Sequence, residues 1–300
     1  MYFPVADIEL NPLVPMLIGL AVSVLSSPAG ISGGFLILPI CVNFFNFSGL
    51  AVSPTNFIFN IVALPSGLWR LHREKRLMWR LGGILMLGSL PGIFAGTVIR
   101  ATWLKDPTGF KIFVALVLSA LALNLFFALL QRNSLTAKAE KQFSKNLNRQ
   151  PQNLKVKCQG STMTYQFGGE TFTISLPKLI TMSLLIGLVG GIYGLGGAAM
   201  IAPLLISQFH LPIYVVNGAS LLAGWAGALF GLFSYTVFWP FVSGQPAISP
   251  DFRLGLLFGL GGMMGVYVGS AIQKYLPPQP LKIMMFLLIS IMALQNFGVF

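Results

Sequence analysis

The amino-acid sequence predicts an all-α polytopic membrane protein of two homologous four-segment repeats with broken or re-entrant first helices, separated by a small polar insert. Hydrophobic residues fill 55% of the 300 positions and charged residues 9%, with mean hydropathy +0.79, far outside the range of a water-soluble domain. Residues 10–69 and 179–250 hold no Asp, Glu, Lys or Arg over 60 and 72 positions, which soluble cores do not sustain. The two halves of the chain also echo one another.

The charged residues that remain exclude several classes. Seven acidic residues, two His and two Cys give a metalloenzyme, a dithiol oxidoreductase or a conventional hydrolase little to work with, so no catalytic, metal or cofactor site is expected. The net charge of +12 sits in short connections between apolar spans, which marks membrane orientation rather than a nucleic-acid partner. Residues 1–11 contain Asp7 and Glu9 and no basic flank, and read as mature chain rather than a cleaved signal.

Four uncharged spans, 81–99, 112–131, 254–273 and 283–300, approach the ~20 residues that cross the hydrocarbon as one helix. Each long uncharged run could make three crossings, two overlong crossings, or one crossing plus a pair of half-helices. Between the halves, 136–148 is basic and helix-compatible. Residues 154–158 and 162–175 alternate like strands, with a two-residue hairpin turn expected within Phe167-Gly168-Gly169-Glu170. The expected division is a first transmembrane repeat at 1–131, a cytoplasmic insert at 132–177 and a second repeat at 178–300.

The repeat is carried by three sets of markers. Gly30-Ile-Ser-Gly-Gly-Phe-Leu-Ile-Leu-Pro39 recurs 164 residues on as Gly194-Leu-Gly-Gly-Ala-Ala-Met-Ile-Ala-Pro203. Arg80, Gly82, Gly88, Gly92 and Gly96 recur 173 residues on as Arg253, Gly255, Gly261, Gly265 and Gly269, and Lys111 and Ser119 recur as Lys282 and Ser290. The spaced glycines are read as helix-packing positions. The clusters at Gly30 and Gly194 combine consecutive glycines with proline and interrupt a helix at membrane depth. Such backbone must be satisfied inside protein or line a water-filled cavity, and transporters place substrate where interrupted helices of two repeats meet.

At these residues the sequence resembles the TauE/SafE family of sulfite and anion exporters. The family's glycine cluster runs into an apolar stretch ending in Pro, and a small or hydroxyl-bearing pair follows at the next helix start, here Thr55-Asn56 and Ala219-Ser220. The likeness covers about 12–131 and 178–300. Ser32 stands where the family usually has another Gly, and Asn56 where Ser is usual. The resemblance implies a multi-pass protein of a bacterial plasma or inner membrane that transports sulfite, thiosulfate or an organosulfonate.

An oxyanion carrier needs positive potential without a permanent trap. Half-helices beginning near Gly33 and Gly197 would each offer unpaired N–H groups and about half a positive charge. The expected substrate-binding set is Gly30, Ser32, Gly33, Gly34, Thr55, Asn56, Gly194, Gly196, Gly197, Asn217 and Ser220, converging on one anion near the midplane. Asn60 shares the Asn56 face and is a secondary candidate; Arg80 and Arg253 read as interface anchors. Cys41 reads as a packing residue. Its counterpart is Leu205, and Cys158 lies in the insert, so a membrane thiol or electron-transfer protein is the weaker alternative.

All seven carboxylates fall outside the apolar spans, leaving no intramembrane proton relay. An anion leaving an inside-negative cell gains about 2.3 kcal/mol per charge per 100 mV. Export therefore needs no coupling ion, whereas import, the alternative, would. The connection 70–80 holds five Lys or Arg and 132–178 holds eight, placing both in the cytoplasm. Re-entrant pairs make the repeats inverted, with the N-terminus outside; eight full helices would make them parallel.

Overall fold

A computed structural model describes residues 1–130, 156–167 and 170–296, and most of them are helical. The first half runs Leu13–Ser26 (α1), Gly34–Asn43 (α2), Val52–Arg73 (α3), Trp79–Thr102 (α4) and Pro107–Leu130 (α5). The second runs Leu176–Tyr193 (α6), Ala198–Phe209 (α7) and Ile213–Phe233 (α8), which continues through a π turn at Ser234–Phe238 into Trp239–Ser243 (α9). Phe252–Ile272 (α10) and Pro278–Asn296 (α11) complete it. Among the described residues, Trp79–Thr102, Pro107–Phe127, Leu176–Tyr193, Ile213–Ser243 and Phe252–Tyr275 are long and apolar enough to cross a membrane. α3 has the length but carries Asn56, Asn60, Arg70, His72 and Arg73.

Both breaks expected near the glycine clusters are present. α1 gives way to a 3-10 turn, Ser27–Ala29, where Pro28 has no N–H to continue the ladder and Gly30 takes a left-handed φ of 77°. α6 stops at Gly194, φ 82°, whose N–H closes on the Gly190 carbonyl at 2.9 Å, an end that favours glycine because it has no Cβ.

The expected packing glycines set the long contacts. Gly88 lies against Ser183, Gly92 against Leu184 and Leu188, and Gly96 against Leu188 and Ile192, so α4 and α6 run parallel. Gly261 meets Met16 and Gly265 meets Leu20, making α1 and α10 parallel as well. Without a side chain at these positions the backbones approach closely, which replaces the hydrophobic drive that lipid does not supply. α3 packs on α10 and α8, α8 on α4, and α5 on α11.

Helix directions follow from bonds at the ends. At one face the Asp251 N–H, before α10, donates to Thr55 Oγ1 near the start of α3 at 2.8 Å. At the other, Arg76 Nη2, after α3, donates to Gln273 Oε1, after α10, at 2.6 Å. α8 starts on this second face, where Tyr214 donates to the Leu276 carbonyl at 2.8 Å.

Two small sheets flank the helices. Tyr2–Phe3 (β1) and Ile8–Glu9 (β2) form a hairpin that the sequence reading did not anticipate. The N–H groups of Val5 and Ala6 in its turn both donate to Asp251 Oδ2 at 3.2 Å, while Oδ1 caps α10 through the Leu254 N–H at 3.0 Å. In the insert, Thr162–Phe167 (β4) and Glu170–Ser175 (β5) pair as the expected hairpin, with Phe167 opposite Glu170. Val156–Gln159 (β3) adds a third strand. Met163, Tyr165 and Ile174 are buried. The turn residues 168–169 and the basic stretch 136–148 lie outside the described residues.

Candidate functional site between two glycine hinges

The hinge after α1 and the hinge after α6 are each held by the start of a helix from the other half. Asn56, on the second turn of α3, donates through Nδ2 to the Gly194 carbonyl at 3.1 Å and to the Gly34 carbonyl at 3.0 Å. Ser220, 164 positions later on α8, donates to the Gly30 carbonyl at 3.1 Å and shares that proton with the Asn217 carbonyl at 2.9 Å. A second crossed pair lies beside the first. Ser53 Oγ donates to the Ile192 carbonyl and Asn217 Nδ2 to the Ser27 carbonyl, both at 3.3 Å. Breaking α1 and α6 exposes carbonyls in an apolar interior, where an unpaired group is expensive, and these four side chains satisfy them.

The first hinge carries an additional polar pair. Ser32 Oγ donates to Asn60 Oδ1 and accepts the Gly34 N–H at 3.2 Å, while Asn60 Nδ2 donates to the Asn56 carbonyl at 3.1 Å. Ser32 and Asn60 are both fully buried. The N–H groups of Ser32 and Gly33, just before α2, meet no acceptor among the described residues. They are two of the donors that any helix start leaves open. At the second hinge Gly196 and Gly197 also have left-handed φ, 61° and 88°. A Cβ on Gly196 would stand 2.5 Å from the Gly224 carbonyl oxygen.

Of the expected set, Gly30, Ser32, Gly33, Gly34, Asn56, Gly194, Asn217 and Ser220 lie within this network, and Gly196 and Gly197 form the turn of the second hinge. Thr55 lies apart: its hydroxyl donates to the Ala51 carbonyl at 2.7 Å and accepts from Asp251. Adjacent residues on a helix face directions 100° apart, so Thr55 cannot share the Asn56 contact. Both Asn56 Nδ2 hydrogens, one Asn217 Nδ2 hydrogen and the Ser220 hydroxyl are spent on carbonyls. Their amide oxygens, Asn56 Oδ1 and Asn217 Oδ1, are buried without a donor.

Charged residues flanking the hinges were not singled out from sequence. Arg76 bridges Glu74 at 3.1 Å and Gln273, and Lys274 Nζ lies 3.1 Å from Glu74. Partial desolvation raises the Glu74 carboxyl, but Lys274 and Arg76 outweigh it and hold the group below the usual carboxylate range. Burial lowers the Arg76 guanidinium against the pull of Glu74. At the opposite face Arg100 is 0% exposed near the end of α4. It lies one position past the uncharged span 81–99. The shift of 173 pairs it with Gln273, itself buried, and that pairing was the available signal.

The TauE/SafE sulfite exporter model matches residues 15–296. The chain belongs to this family. The match takes in both hinges and every helix from α1 to α11, and with the five apolar helices it makes this a multi-pass membrane protein of an anion-transport family. No curated protein and no solved structure matches the chain.

Proposed function

We propose that this TauE/SafE protein exports a small sulfur-containing oxyanion (sulfite, thiosulfate or an organosulfonate) by alternating access, with the anion held between the two hinges. The observation that carries the reading is the crossed pair, Asn56 to Gly194 and Ser220 to Gly30. Each hinge is held by a helix start of the other half, so a movement of one half reaches the hinge of the other. The binding set is Gly30, Ser32, Gly33 and Gly34 with Gly194, Gly196 and Gly197, supported by Asn56, Asn217 and Ser220. The open Ser32 and Gly33 amides at the α2 start meet the anion, aided by the helix dipole. Main-chain donors bind an oxyanion without the deep trap of a lysine.

Inverted repeats suit this mechanism, and the helix directions support them. α1 runs parallel to α10 and starts on the Asp251 face, whereas α6 runs parallel to α4 and starts on the Arg76 face. Residues 1–131 and 178–300 are then the two repeats. The basic 70–80 connection, and the β4–β5 hairpin whose second strand leads directly into α6, share the Arg76 face, and the basic residues of 70–80 make that face the cytoplasmic one. The Asp251 face and the N-terminal hairpin are external.

Release of the crossed bonds costs about 1 kcal/mol each, small enough for transport on the microsecond-to-millisecond scale. A dianion leaving an inside-negative cell gains about 4.6 kcal/mol per 100 mV. In proteoliposomes, sulfite efflux should accelerate as the interior is made negative, and Asn56→Ala and Ser220→Ala should each slow it at least about threefold while remaining folded. Efflux indifferent to voltage, or normal in both variants, overturns the reading.

Uptake of the same anions with a coupling cation is a second reading, favoured by one feature. The orphan oxygens Asn56 Oδ1 and Asn217 Oδ1 are acceptors and suit a cation or water. An inward sodium or proton gradient that drives sulfite accumulation would select it.

A further inference from the structure

Arg100 is fully buried, and among the described residues no carboxylate lies against it. Its Nη1 donates to the Leu104 carbonyl one turn on. The guanidinium carbon lies 3.9 Å from the centre of the Phe110 ring, and the Tyr235 phenol is its electrostatic neighbour. Nε and Nη2 have no partner. These two atoms form one edge of the guanidinium, the edge that grips two oxygens of an oxyanion side by side. Leu104 and Phe110 hold the plane so that this edge is left free. Tyr235 sits in the π turn interrupting α8, a distortion common beside functional sites.

The surroundings of Arg100 lead to both hinges. Gly96, one turn earlier on α4, lies against Leu188 and Ile192 at the end of α6. The Phe110 ring is 6.4 Å from that of Tyr193, the last residue of α6. Tyr193 stacks on Phe35 of α2 at 6.1 Å and donates to the Phe35 carbonyl at 3.2 Å. Burial excludes a lipid headgroup as the occupant, because no part of Arg100 reaches the surface.

We infer that the free Nε–Nη2 edge of Arg100 is a second anion subsite, at the external end of the path, that takes two oxygens of the sulfur oxyanion after it leaves the hinges. This inference rests on the anion-transport reading. At the opposite end the counterpart position is Gln273, and its neighbour Arg76 pairs with Glu74, a carboxylate it shares with Arg70 and Lys274. Among the described residues the two ends therefore differ in how a buried guanidinium is held: Arg76 has a carboxylate against it, and Arg100 has none.

The test uses purified full-length protein, with sulfite and methanesulfonate titrated at constant ionic strength. Binding is read from the rise in thermal stability, and transport from proteoliposome efflux. Arg100→Gln should raise the half-saturating sulfite concentration about tenfold or more in both. Arg100→Lys, which keeps the charge but loses the fork, should raise it several-fold. If Arg100→Gln lowers basal stability while sulfite affinity stays at the wild-type value, the charge is structural and the subsite is overturned. Should Arg100→Gln fail to fold, wild-type affinity in Arg100→Lys overturns it equally. Wild-type efflux with an unchanged half-saturation in Arg100→Gln sinks the subsite and leaves transport standing. Arg100-dependent sulfite binding without efflux sinks transport and leaves the subsite standing.

Discussion

The two hinges solve one packing problem with different residues. In the first, Ser32 and Asn60 meet through a side-chain hydrogen bond on top of the Gly34 amide. At the positions 164 residues on stand Gly196 and Gly224, and there the backbones themselves come together, leaving no room for a Cβ. A polar pair holds two helices apart at a set distance and can be retuned by substitution. A glycine contact brings them to the closest possible approach and tolerates nothing larger. The first hinge is therefore the one whose chemistry can vary, and it is also where the open Ser32 and Gly33 amides lie.

The sharpest break of this comparison is Gly196→Ala. The new Cβ would meet the Gly224 carbonyl at 2.5 Å and the Ala228 N–H nitrogen at 2.6 Å, on a left-handed backbone. Backbone atoms cannot swing aside, so a loss of roughly 3–5 kcal/mol is expected, read as failure to recover folded protein in detergent. Ser32→Ala comes next. It leaves Asn60 Oδ1 buried without its donor, at a cost of about 1–3 kcal/mol in thermal unfolding. The double change Ser32→Gly with Asn60→Gly copies the second hinge and removes both members of the pair. It should cost less than the two single changes added together, and strict additivity in that cycle would show that the two side chains do not interact.

A smaller effect distinguishes the faces rather than the hinges. Lys274 and Arg76 depress the Glu74 carboxyl on folding, so its stabilisation is complete above the unfolded carboxylate range, near pH 4.3. It disappears as pH falls through the lower folded value. The cluster is part-exposed and contributes on the order of 1 kcal/mol or less. Glu74→Gln should therefore lower the unfolding temperature slightly at pH 7 and flatten its decline at acid pH. An identical acid limb in wild type and variant would remove Glu74 from the account.

Several features were readable from local chemistry alone. Composition and uncharged runs marked the membrane. Pro28, Gly30 and Gly194 marked the two breaks, because a missing N–H or a left-handed φ acts within one turn of chain. The spaced glycines at 88, 92, 96, 261, 265 and 269 announced close packing. The β4–β5 hairpin followed from strand alternation, whereas the β1–β2 hairpin did not, since two-residue strands carry no period.

Membrane residence, the helix breaks and the polar face of α3 belong to the sequence itself, because each depends on residues within a few positions of one another. The donor–acceptor choices belong to the tertiary structure. Asn56 finds Gly194 across 138 residues, Ser220 finds Gly30 across 190, and Ala6 finds Asp251 across 245. A side chain's type states how many bonds it can make, but only the neighbouring helix decides which atom receives them. For that reason Thr55 reads in sequence as an anion-binding residue yet bonds Ala51 and Asp251, and Arg100, one position past an uncharged span, lies buried with one edge free.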